Sequence, residues 1–456
     1  MGNKLFGTDG VRGVANVYPM TADFAMKLAM AAGKLVCTAN RRAAIARDTR
    51  ISGDMLEAAM IAGFTSQGVD VVRLGVLPTP AATLLTPSLG VDMTVMITAS
   101  HNPYYDNGIK LIAASGDKFG DDVTARLEAA VVDGEFSFDK EKLGRVSEDK
   151  TAAERYKEIA LGMGGKELPL QGLKVVLDCA NGCFSEIMPE VFAKLGADVT
   201  ALSCTPDGTN INRDCGSQHI DAMTAKVRDC GAMLGIAADG DGDRIIICDE
   251  KGVRLDGDQV IAFLGQYLKG KSRLKGNAVV ATIVSNPALD RFLEGIGVKC
   301  VRSAVGERYV IEEMKKCGSN IGGEESGHMV VADYAKTGDT MMAALVIAMG
   351  LLQSGKKMSE IFPLFTPMTR KRIDSKFCGK DEMLAAFELA AFQAEIKQGE
   401  ADIAGKGRIL VRKSGTEPKI QVWVWGDDVP LATAVSNRIA SVLEKADGFE
   451  SRKEVL

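Results

Sequence analysis

The feature that most constrains the fold is a repeated alternation of strand-like apolar runs and helix-like runs over the first three quarters of the chain. The first stretch predicts helices at 21–36 and 52–66 and strands at 43–48, 70–76 and 93–98. Thr21 precedes the first helix and is a suitable N-cap, because its hydroxyl can accept from a free helix amide. This alternation predicts mainly parallel sheets that carry helices on both faces.

The same pattern restarts twice and then changes. The second and third stretches predict strands at 173–182, 233–243, 278–284 and 299–306 and helices near 185–195, 257–269 and 287–296. The C-terminal stretch predicts strands at 369–377, 408–415 and 419–426 and helices near 380–397 and 429–446. We therefore expect three similar doubly wound α/β domains, which suggest an internal repeat, and a smaller C-terminal α+β domain. The predicted domains span 1–153, 154–254, 255–366 and 367–456.

Charge and composition exclude several classes of protein. Lys and Arg total 55 against 60 Asp and Glu, so the net charge is −5, whereas a general nucleic-acid binder needs a basic surface. Met341–Leu352, the longest apolar run, has twelve residues, too few for a membrane span of about 20. The first residues lack the apolar segment of a secretion signal. Ten cysteines without a CxxC pair are typical of reduced core thiols in a cytoplasmic protein.

The first loop that carries candidate catalytic residues, called here the serine loop, spans residues 98–103 (TASHNP). It follows a buried strand, and ligands bind beyond the carboxyl ends of strands in open α/β sheets. Ser100 beside His101, with Lys110 ten residues later, is a candidate nucleophile with proton-transfer neighbours. Taken alone, the pattern also fits a helix cap or an Asn-Pro turn, with a structural histidine.

The second, the acidic loop, is residues 239–244 (DGDGDR). Asp239, Asp241 and Asp243 would repel one another strongly, and a divalent cation can neutralise such a cluster. Oxygen ligands favour Mg²⁺, Mn²⁺ or Ca²⁺ over zinc. An EF-hand is excluded because Arg244 stands where that loop needs glycine. A solvated acidic turn is the remaining alternative.

Two further loops carry polar residues flanked by glycine. The sugar loop, residues 322–328 (GGEESGH), suits recognition of vicinal sugar hydroxyls, because a carboxylate accepts and a serine both donates and accepts. The anion loop, residues 412–418 (RKSGTEP), offers cations, hydroxyls and backbone amides to an anion. Each also fits an ordinary surface turn when taken alone.

One motif is a chance match. Residues 265–272 (GQYLKGKS) fit the P-loop pattern GxxxxGK[ST]. A P-loop requires a strand before the loop and a helix after it. Here a helix-like run precedes the motif and a strand-like run follows, so we do not expect nucleotide binding there.

Taken together, five ordered motifs make the chain resemble the α-D-phosphohexomutase family over its whole length. The motifs are 6–13 (FGTDGVRG), 98–103, 239–244, 323–328 and 412–418. Residues 305–310 (VGERYV) and 336–339 (KTGD) make the resemblance closest to the bacterial branch that acts on glucosamine phosphate. The resemblance implies four domains around one central cleft, each of which contributes a loop.

The resemblance also implies roles for individual residues. Ser100 would carry a phosphoryl group and would bind one Mg²⁺ together with Asp239, Asp241 and Asp243. Arg12 and Arg244 would face the phosphoryl group, and proton transfer would fall to Lys110, His101 or His328, among which the sequence does not choose. Glu324 and Ser326 would hold ring hydroxyls. The phosphate that is not reacting would be bound by Arg412, Ser414, Gly415 and Thr416.

The implied reaction is the interconversion of glucosamine 6-phosphate and glucosamine 1-phosphate through a sugar 1,6-bisphosphate. The nearest alternative is a phosphomannomutase or phosphoglucomutase with the same mechanism, and a catalytically silent sugar-phosphate-binding protein is the alternative of another class. The family also implies a homodimer. Two residues depart from the family pattern: Glu325, where Gln or Asn is common in the amino-sugar branch, and Gln421, where Arg is frequent. A carboxylate at 325 could meet a substrate ammonium group.

Overall fold

The computed structural model describes residues 5–7, 9–163, 169–414, 417–444 and 452–455. These residues form four sheets, and each sheet with its helices is called a unit below. The predicted class is confirmed: three α/β units are followed by a smaller α+β unit.

The first unit contains a six-stranded sheet of order β1-β5-β4-β2-β3-β6. Its strands are β1 (Val11–Val14), β2 (Arg42–Arg47), β3 (Asp70–Val76), β4 (Met93–Ile97), β5 (Asp106–Ala113) and β6 (Val146–Glu148). Its helices are α1 (Ala22–Leu35), α2 (Ser52–Ser66), α3 (Thr79–Leu85) and α4 (Asp121–Asp133). Thr21 occupies the N-cap position of α1, but its hydroxyl donates to Asp23 Oδ1 at 2.6 Å and makes no capping hydrogen bond.

The second unit contains a five-stranded sheet of order β11-β10-β9-β7-β8. Its strands are β7 (Lys174–Asp178), β8 (Asp198–Leu202), β9 (Leu234–Ala238), β10 (Ile245–Asp249) and β11 (Arg254–Leu255). Its helices are α5 (Ala152–Gly162), α6 (Ile187–Lys194) and α7 (Asp221–Cys230). Two predicted domain boundaries fall inside elements, at α5 and β11, and the boundaries stay predictions.

The third unit contains a four-stranded sheet of order β13-β12-β14-β15. Its strands are β12 (Ala278–Thr282), β13 (Lys299–Ser303), β14 (Ile321–Gly323) and β15 (Met329–Val331). Its helices are α8 (Gly257–Gly270), α9 (Ala288–Gly295), α10 (Glu307–Cys317), α11 (Thr340–Ser354) and α12 (Met358–Ile361). The P-loop-like residues 265–272 begin inside α8 and precede strand β12, so the helix–strand order is the reverse of a P-loop, as predicted.

The fourth unit contains an antiparallel sheet of order β17-β18-β16-β19. Its strands are β16 (Thr369–Lys376), β17 (Gly407–Lys413), β18 (Lys419–Gly426) and β19 (Arg452–Val455). Its helices are α13 (Lys380–Phe387), α14 (Ala390–Ile403) and α15 (Val429–Glu444). The prediction of one helix over 380–397 is wrong, because Leu389 adopts extended dihedral angles and separates α13 from α14.

The first three units repeat one strand order. In each, a parallel trio is flanked by an antiparallel strand, giving β5-β4-β2-β3, β10-β9-β7-β8 and β15-β14-β12-β13. The expectation of mainly parallel sheets therefore holds for the central strands and fails where this antiparallel strand joins the trio. An apolar pattern does not show strand direction, so the antiparallel strand could not be predicted from the sequence.

The hydrophobic core divides unevenly among the units. One continuous cluster of buried apolar residues runs through the first three units and includes Leu77, Phe184 and Phe263. The fourth unit has a separate core around Phe392. It meets the third unit through a small cluster whose buried members are Val284, Ala288, Met368, Trp423 and Trp425.

The apolar run at Met341–Leu352 lies inside α11, most of which is buried in the third unit. Within the described ranges, no helix is both long and apolar enough to cross a bilayer. All ten cysteines are free thiols. Five of them are buried, whereas Cys378 is exposed and four others are partly exposed, so the expectation that all lie in the core is wrong.

Candidate active site

Three of the four loops occupy one topological position. The serine loop follows β4, the acidic loop follows β9, and the sugar loop follows β14. Each leads from an outer strand of the parallel trio into the antiparallel strand beside it. Open α/β sheets bind ligands at the carboxyl ends of their parallel strands. The repeated strand order therefore places the serine, acidic and sugar loops, which carry different functional groups, at equivalent positions.

Ser100 is held in a backbone conformation that few residues adopt. Its φ is +53°, in the left-handed region, which costs a non-glycine residue about 1–2 kcal/mol. Arg50, which is fully buried, donates to the carbonyl oxygens of Ser100 and Asn102, both at 2.8 Å. Asn212 of the second unit donates to the same Ser100 carbonyl at 2.8 Å. Two units therefore fix the backbone of this serine.

Arg50 is itself neutralised within the first unit. Its Nε donates to Asp48 Oδ2 at 2.8 Å, and both side chains are fully buried. Asp48 also accepts from the Thr98 hydroxyl at 2.7 Å, at the start of the serine loop. Arg50, Asp48 and Asn212 were missed from the sequence. The only signal for the first two was a pair of charges directly after a buried strand.

The Ser100 hydroxyl points into the acidic loop. Its Oγ donates to Asp239 Oδ2 at 2.6 Å and lies 3.5 Å from Asp243 Oδ1. His101 Nδ1 lies 3.4 Å from the same Oγ. The residue is only 1 % exposed, so the candidate nucleophile is placed among carboxylates and away from bulk water.

The acidic loop is a buried cluster with unused oxygen atoms. Asp239, Asp241 and Asp243 each offer an oxygen within 4.8 Å of the others. Burial and the charges of Asp243 and Asp241 raise the pKa of Asp239. Asp241 Oδ1 is buried and has no hydrogen-bond partner in the part of the chain that the structure describes. Three clustered carboxylates, one of which has an oxygen without a partner among the described residues, are suited to a divalent cation.

Glycine is required where the acidic loop turns. Gly242 has a φ of +76°, and a Cβ there would lie 2.3 Å from the Phe184 ring. The turn lets one oxygen, Asp239 Oδ1, accept from three successive amides, those of Gly242, Asp243 and Arg244, each at 3.1 Å. The loop is thereby held closed around its carboxylates.

Lys110 brings a cation into the cluster from β5. Its Nζ lies 2.8 Å from Asp241 Oδ2, 3.0 Å from Asp243 Oδ2 and 3.1 Å from Asp9 Oδ2. Burial lowers the pKa of Lys110, but the carboxylates outweigh burial and raise the pKa well above its usual range. Lys110 is therefore an ammonium ion here.

The two histidines differ in charge. Burial, together with Arg244 and Arg12, lowers the pKa of His101 to about 4, so this imidazole is neutral at pH 7. Burial also lowers the pKa of His328, but the Asp243 carboxylate outweighs it and raises the pKa to about 10. Of the three candidates for proton transfer, His101 is therefore suited to accept a proton, whereas Lys110 and His328 are suited to donate one.

The sugar loop joins the acidic loop directly. His328 Nε2 lies 3.2 Å from Asp243 Oδ1, and His328 Nδ1 lies 2.9 Å from Glu324 Oε2. The backbones also meet, since the Ile245 amide donates to the Gly327 carbonyl at 3.0 Å. Ser326 is exposed beside them. Ser100, the aspartates, His328 and Glu324 therefore form one connected cluster.

Arg12 approaches the cluster from β1. It pairs with Asp9 and lies 3.5 Å from the Ala99 carbonyl of the serine loop. Arg244, at the end of the acidic loop, is partly exposed, and its Nε lies 3.3 Å from His328 Nε2. Asp9 was quoted within a family motif but was not assigned a role. The structure places it among three cations, Lys110, Lys118 and Arg12.

The anion loop stands apart, on the sheet of the fourth unit. Arg412 is the last but one residue of β17, and Ser414, just beyond the strand, donates its amide to the Lys419 carbonyl at 2.9 Å. Burial and the neighbouring Arg372 lower the pKa of Arg412, as expected of like charges gathered to bind an anion. Gly415 and Thr416, also predicted in this loop, lie outside the described residues.

Family models match nearly the whole chain. The descriptions are phosphoglucomutase/phosphomannomutase alpha/beta/alpha domain I at residues 3–137, domain II at 155–252, domain III at 256–368 and the C-terminal domain at 374–442. A solved phosphoglucomutase/phosphomannomutase family protein from Burkholderia thailandensis superposes with a TM-score of 0.81 at 22% identity, covering 98% of this chain and 99% of that one. An N-acetylphosphoglucosamine mutase from Aspergillus fumigatus, solved with GlcNAc-6P and magnesium, gives 0.62 at 16% identity, covering 96% and 95%.

Curated relatives are more similar in sequence. The phosphoglucosamine mutase of Paramagnetospirillum magneticum is 47% identical over 454 residues, which is 98% of this chain and all of that protein. The phosphoglucosamine mutase of Caulobacter vibrioides is 44% identical over 446 residues, covering 97% and 99%. The resemblance drawn from the five motifs is thereby confirmed. The chain belongs to the phosphoglucomutase/phosphomannomutase family of α-D-phosphohexomutases, and within it resembles the phosphoglucosamine mutases.

Proposed function

We propose that the protein is a phosphoglucosamine mutase, an isomerase that interconverts glucosamine 6-phosphate and glucosamine 1-phosphate by way of phosphoserine at Ser100. The observation that carries this proposal is the buried Ser100 hydroxyl, 2.6 Å from Asp239 in a cluster of three carboxylates. The relatives at 44–47% identity support the amino-sugar substrate. A cytoplasmic location and a homodimer stay predictions.

The cycle begins with the phosphorylated serine. The free hydroxyl of the bound sugar attacks phosphorus, its proton passes to a base, and the bond from phosphorus to Ser100 Oγ breaks. The product is the 1,6-bisphosphate, which turns over in the cleft. Ser100 then attacks the phosphorus at position 6, the bond from this phosphorus to the sugar O6 breaks, and O6 takes up a proton, which leaves glucosamine 1-phosphate and restores phosphoserine. Neutral His101, 3.4 Å from Ser100 Oγ, is placed to accept the serine proton in this second step.

The residues around Ser100 supply positive charge to the transferring group. Arg12 and Arg244 would face its oxygens, and Lys110 already lies among the carboxylates beside it. Ser100, Asp239, Asp241 and Asp243 would hold Mg²⁺, and the free oxygen of Asp241 fits that role. Bound Mg²⁺ would neutralise charge on the phosphoryl group, which is the main catalytic need in phosphoryl transfer.

Two loops would hold the substrate in both orientations. Glu324 and Ser326 of the sugar loop would bind ring hydroxyls. The anion loop, with Arg412, Ser414, Gly415 and Thr416, would bind whichever phosphate is not reacting, because cations and backbone amides recognise phosphate in either position.

Substrate preference tests the proposal. We expect kcat/KM for glucosamine 6-phosphate to exceed the values for glucose 6-phosphate and mannose 6-phosphate by about 100-fold, or about 2.7 kcal/mol in transition-state binding. The assay needs Mg²⁺, a trace of sugar 1,6-bisphosphate, and Ser100→Ala as the inactive control. A preference for glucose or mannose would assign the protein to the phosphoglucomutase or phosphomannomutase branch. Turnover of none of the three would overturn the proposal.

A further inference from the structure

Adjacent carboxylates of the sugar loop make separate sets of contacts. Glu324 faces its own unit, where it accepts from the Gly306 amide at 2.9 Å and contacts His328. Glu325 instead reaches the fourth unit, where Arg370 Nη1 donates to its two oxygens at 3.0 and 2.9 Å. We propose that Glu325 and Arg370 form a latch that positions the anion loop relative to the sugar loop. This inference rests on the proposed function, since it concerns the two loops assigned to the substrate.

An aromatic ring connects the Glu325–Arg370 pair to the sheet of the fourth unit. The Arg370 guanidinium lies over the Trp423 ring, 5.1 Å from its centroid, and the Arg372 guanidinium lies over the same ring at 4.8 Å. Arg372 in turn donates two hydrogen bonds of 2.8 Å to Asp374. Arg370, Arg372 and Asp374 alternate along β16 and therefore share one face of the sheet.

From Asp374 the contacts reach the anion loop. Its Oδ2 accepts from Lys419 at 3.2 Å and from Gln421 at 3.3 Å. Gln421 is paired with Arg412 across β18 and β17, and the Lys419 carbonyl accepts from the Ser414 amide. A continuous set of contacts thus leads from the sugar loop to the residues that would bind phosphate.

The apolar contact at this junction is small, so an ion pair can affect its geometry. One core cluster runs through the first three units, whereas the fourth unit meets the third through a small apolar cluster and through polar contacts that include the exposed Arg291–Asp427 ion pair. A cleft of about 490 Å³, lined in part by Glu325, Arg370 and Trp425, lies beside the Glu325–Arg370 pair. The cleft leaves the fourth unit room to shift when this pair is broken.

This arrangement also gives Glu325 a role other than contact with a substrate ammonium. Its carboxylate is already paired with a guanidinium of the protein itself. We therefore treat Glu325 as a positioning residue. It would act on the spacing between the ring-binding and phosphate-binding loops, and so on substrate binding more than on the chemical step.

The kinetic test uses Glu325→Gln, Arg370→Gln and the double variant. Both side chains are partly exposed, so we expect each single variant to raise KM for glucosamine 6-phosphate by about two- to fivefold with a smaller change in kcat. The double variant should raise KM no more than either single variant, because each single substitution already breaks the ion pair. A double-mutant cycle isolates this pairwise contribution. Asp427→Asn is the matched control, since it breaks the exposed ion pair between Arg291 and Asp427 that links the same two units. This control should leave KM unchanged.

A second measurement needs no substrate. The two tryptophans of the chain, Trp423 and Trp425, both lie at the junction, so their fluorescence reports on its packing. Hydrogen exchange in the free protein should be faster at residues 324–327 and 363–370 in Glu325→Gln than in Asp427→Asn. The kinetic and exchange measurements test different hypotheses. Absence of sugar-phosphate turnover in the wild type would refute the proposed function. Hydrogen exchange, which needs no substrate, would still test the latch.

Three results would overturn the latch. They are unchanged exchange and fluorescence in Glu325→Gln, additive effects of the two substitutions on KM, and an equal effect of Asp427→Asn.

Discussion

The cluster around Ser100 and the anion loop around Arg412 differ in burial and in the number of units that hold them. Ser100 and the three aspartates are almost completely buried, and residues from two units fix their positions. Arg412 and Ser414 are half-buried on a single sheet, and among the described residues Ser414 is held by hydrogen bonds to Lys419 and Glu417 of the same unit. A group that breaks bonds has to be placed rigidly and kept dry. A group that must capture and release either phosphate needs access to solvent.

Their charges are opposite as well. The first region gathers three buried carboxylates, one of which has an oxygen without a partner among the described residues, and is suited to a cation. In the second, burial and the neighbouring Arg372 lower the pKa of Arg412, and the paired guanidinium groups are suited to an anion. In the proposed function, the metal would bind the first region and a sugar phosphate the second.

The largest effect should come from Ser100→Ala. This substitution removes the oxygen atom that we propose carries the phosphoryl group, so we expect mutase turnover to be lost while the fold is kept. Incubation with sugar 1,6-bisphosphate should add one phosphoryl group to the wild type and none to the variant, as measured by mass spectrometry. Appreciable turnover by the variant would contradict the mechanism.

Metal removal should also abolish activity, reversibly. We expect EDTA to stop turnover and Mg²⁺ to restore it. In the absence of substrate, saturating Mg²⁺ should raise the stability of the wild type by about 2.7 kcal/mol at 100 times its dissociation constant. Asp241→Asn should reduce this shift, whereas Asp427→Asn, which changes an exposed carboxylate, should keep it. Equal shifts in the two variants would place the metal elsewhere.

Arg50→Met tests the rigidity of the buried region. It leaves Asp48 buried without its partner, and loss of one member of a buried pair costs about 3–5 kcal/mol. Arg291→Met removes an exposed pair and should cost at most about 1 kcal/mol. Urea denaturation measures both. Similar values would mean that burial does not distinguish the two pairs.

The smallest effect is expected in the anion loop. Arg412→Ala removes a charge-assisted contact of about 1.5–3 kcal/mol, which should weaken substrate binding by about 10- to 150-fold. Stability should change little because the side chain is half-exposed. Lys413→Ala, at the exposed neighbouring position, is the control. An unchanged KM and kcat in Arg412→Ala would show that phosphate is bound elsewhere.

Sequence reasoning succeeded where the information was local. The bounds of α2, β3 and β18 were predicted at the residues where they occur. Each of the four loops was found because polar residues interrupt an apolar or glycine-containing pattern. The split between α13 and α14 was missed because Phe387 and Phe392, on either side of it, pack in one core, so the apolar period continues across the break.

Contacts between distant segments could not be predicted. Asn212 lies 112 residues from Ser100, yet it donates to the Ser100 carbonyl. Arg50, Asp9 and Glu325 likewise gain their roles from partners in other elements. Charge and spacing identify which residues are chemically capable, but the supporting hydrogen bonds depend on how the units pack.

The core shared by the first three units has a consequence for unfolding. Segments that share buried apolar contacts unfold as one cooperative block, whereas a segment with its own core can open separately at a lower free energy. The first unit has a further core on one side of its sheet, but the other side belongs to the shared core. The fourth unit has a separate core and a small apolar junction, so heating should release the unit proposed to bind phosphate before the other three.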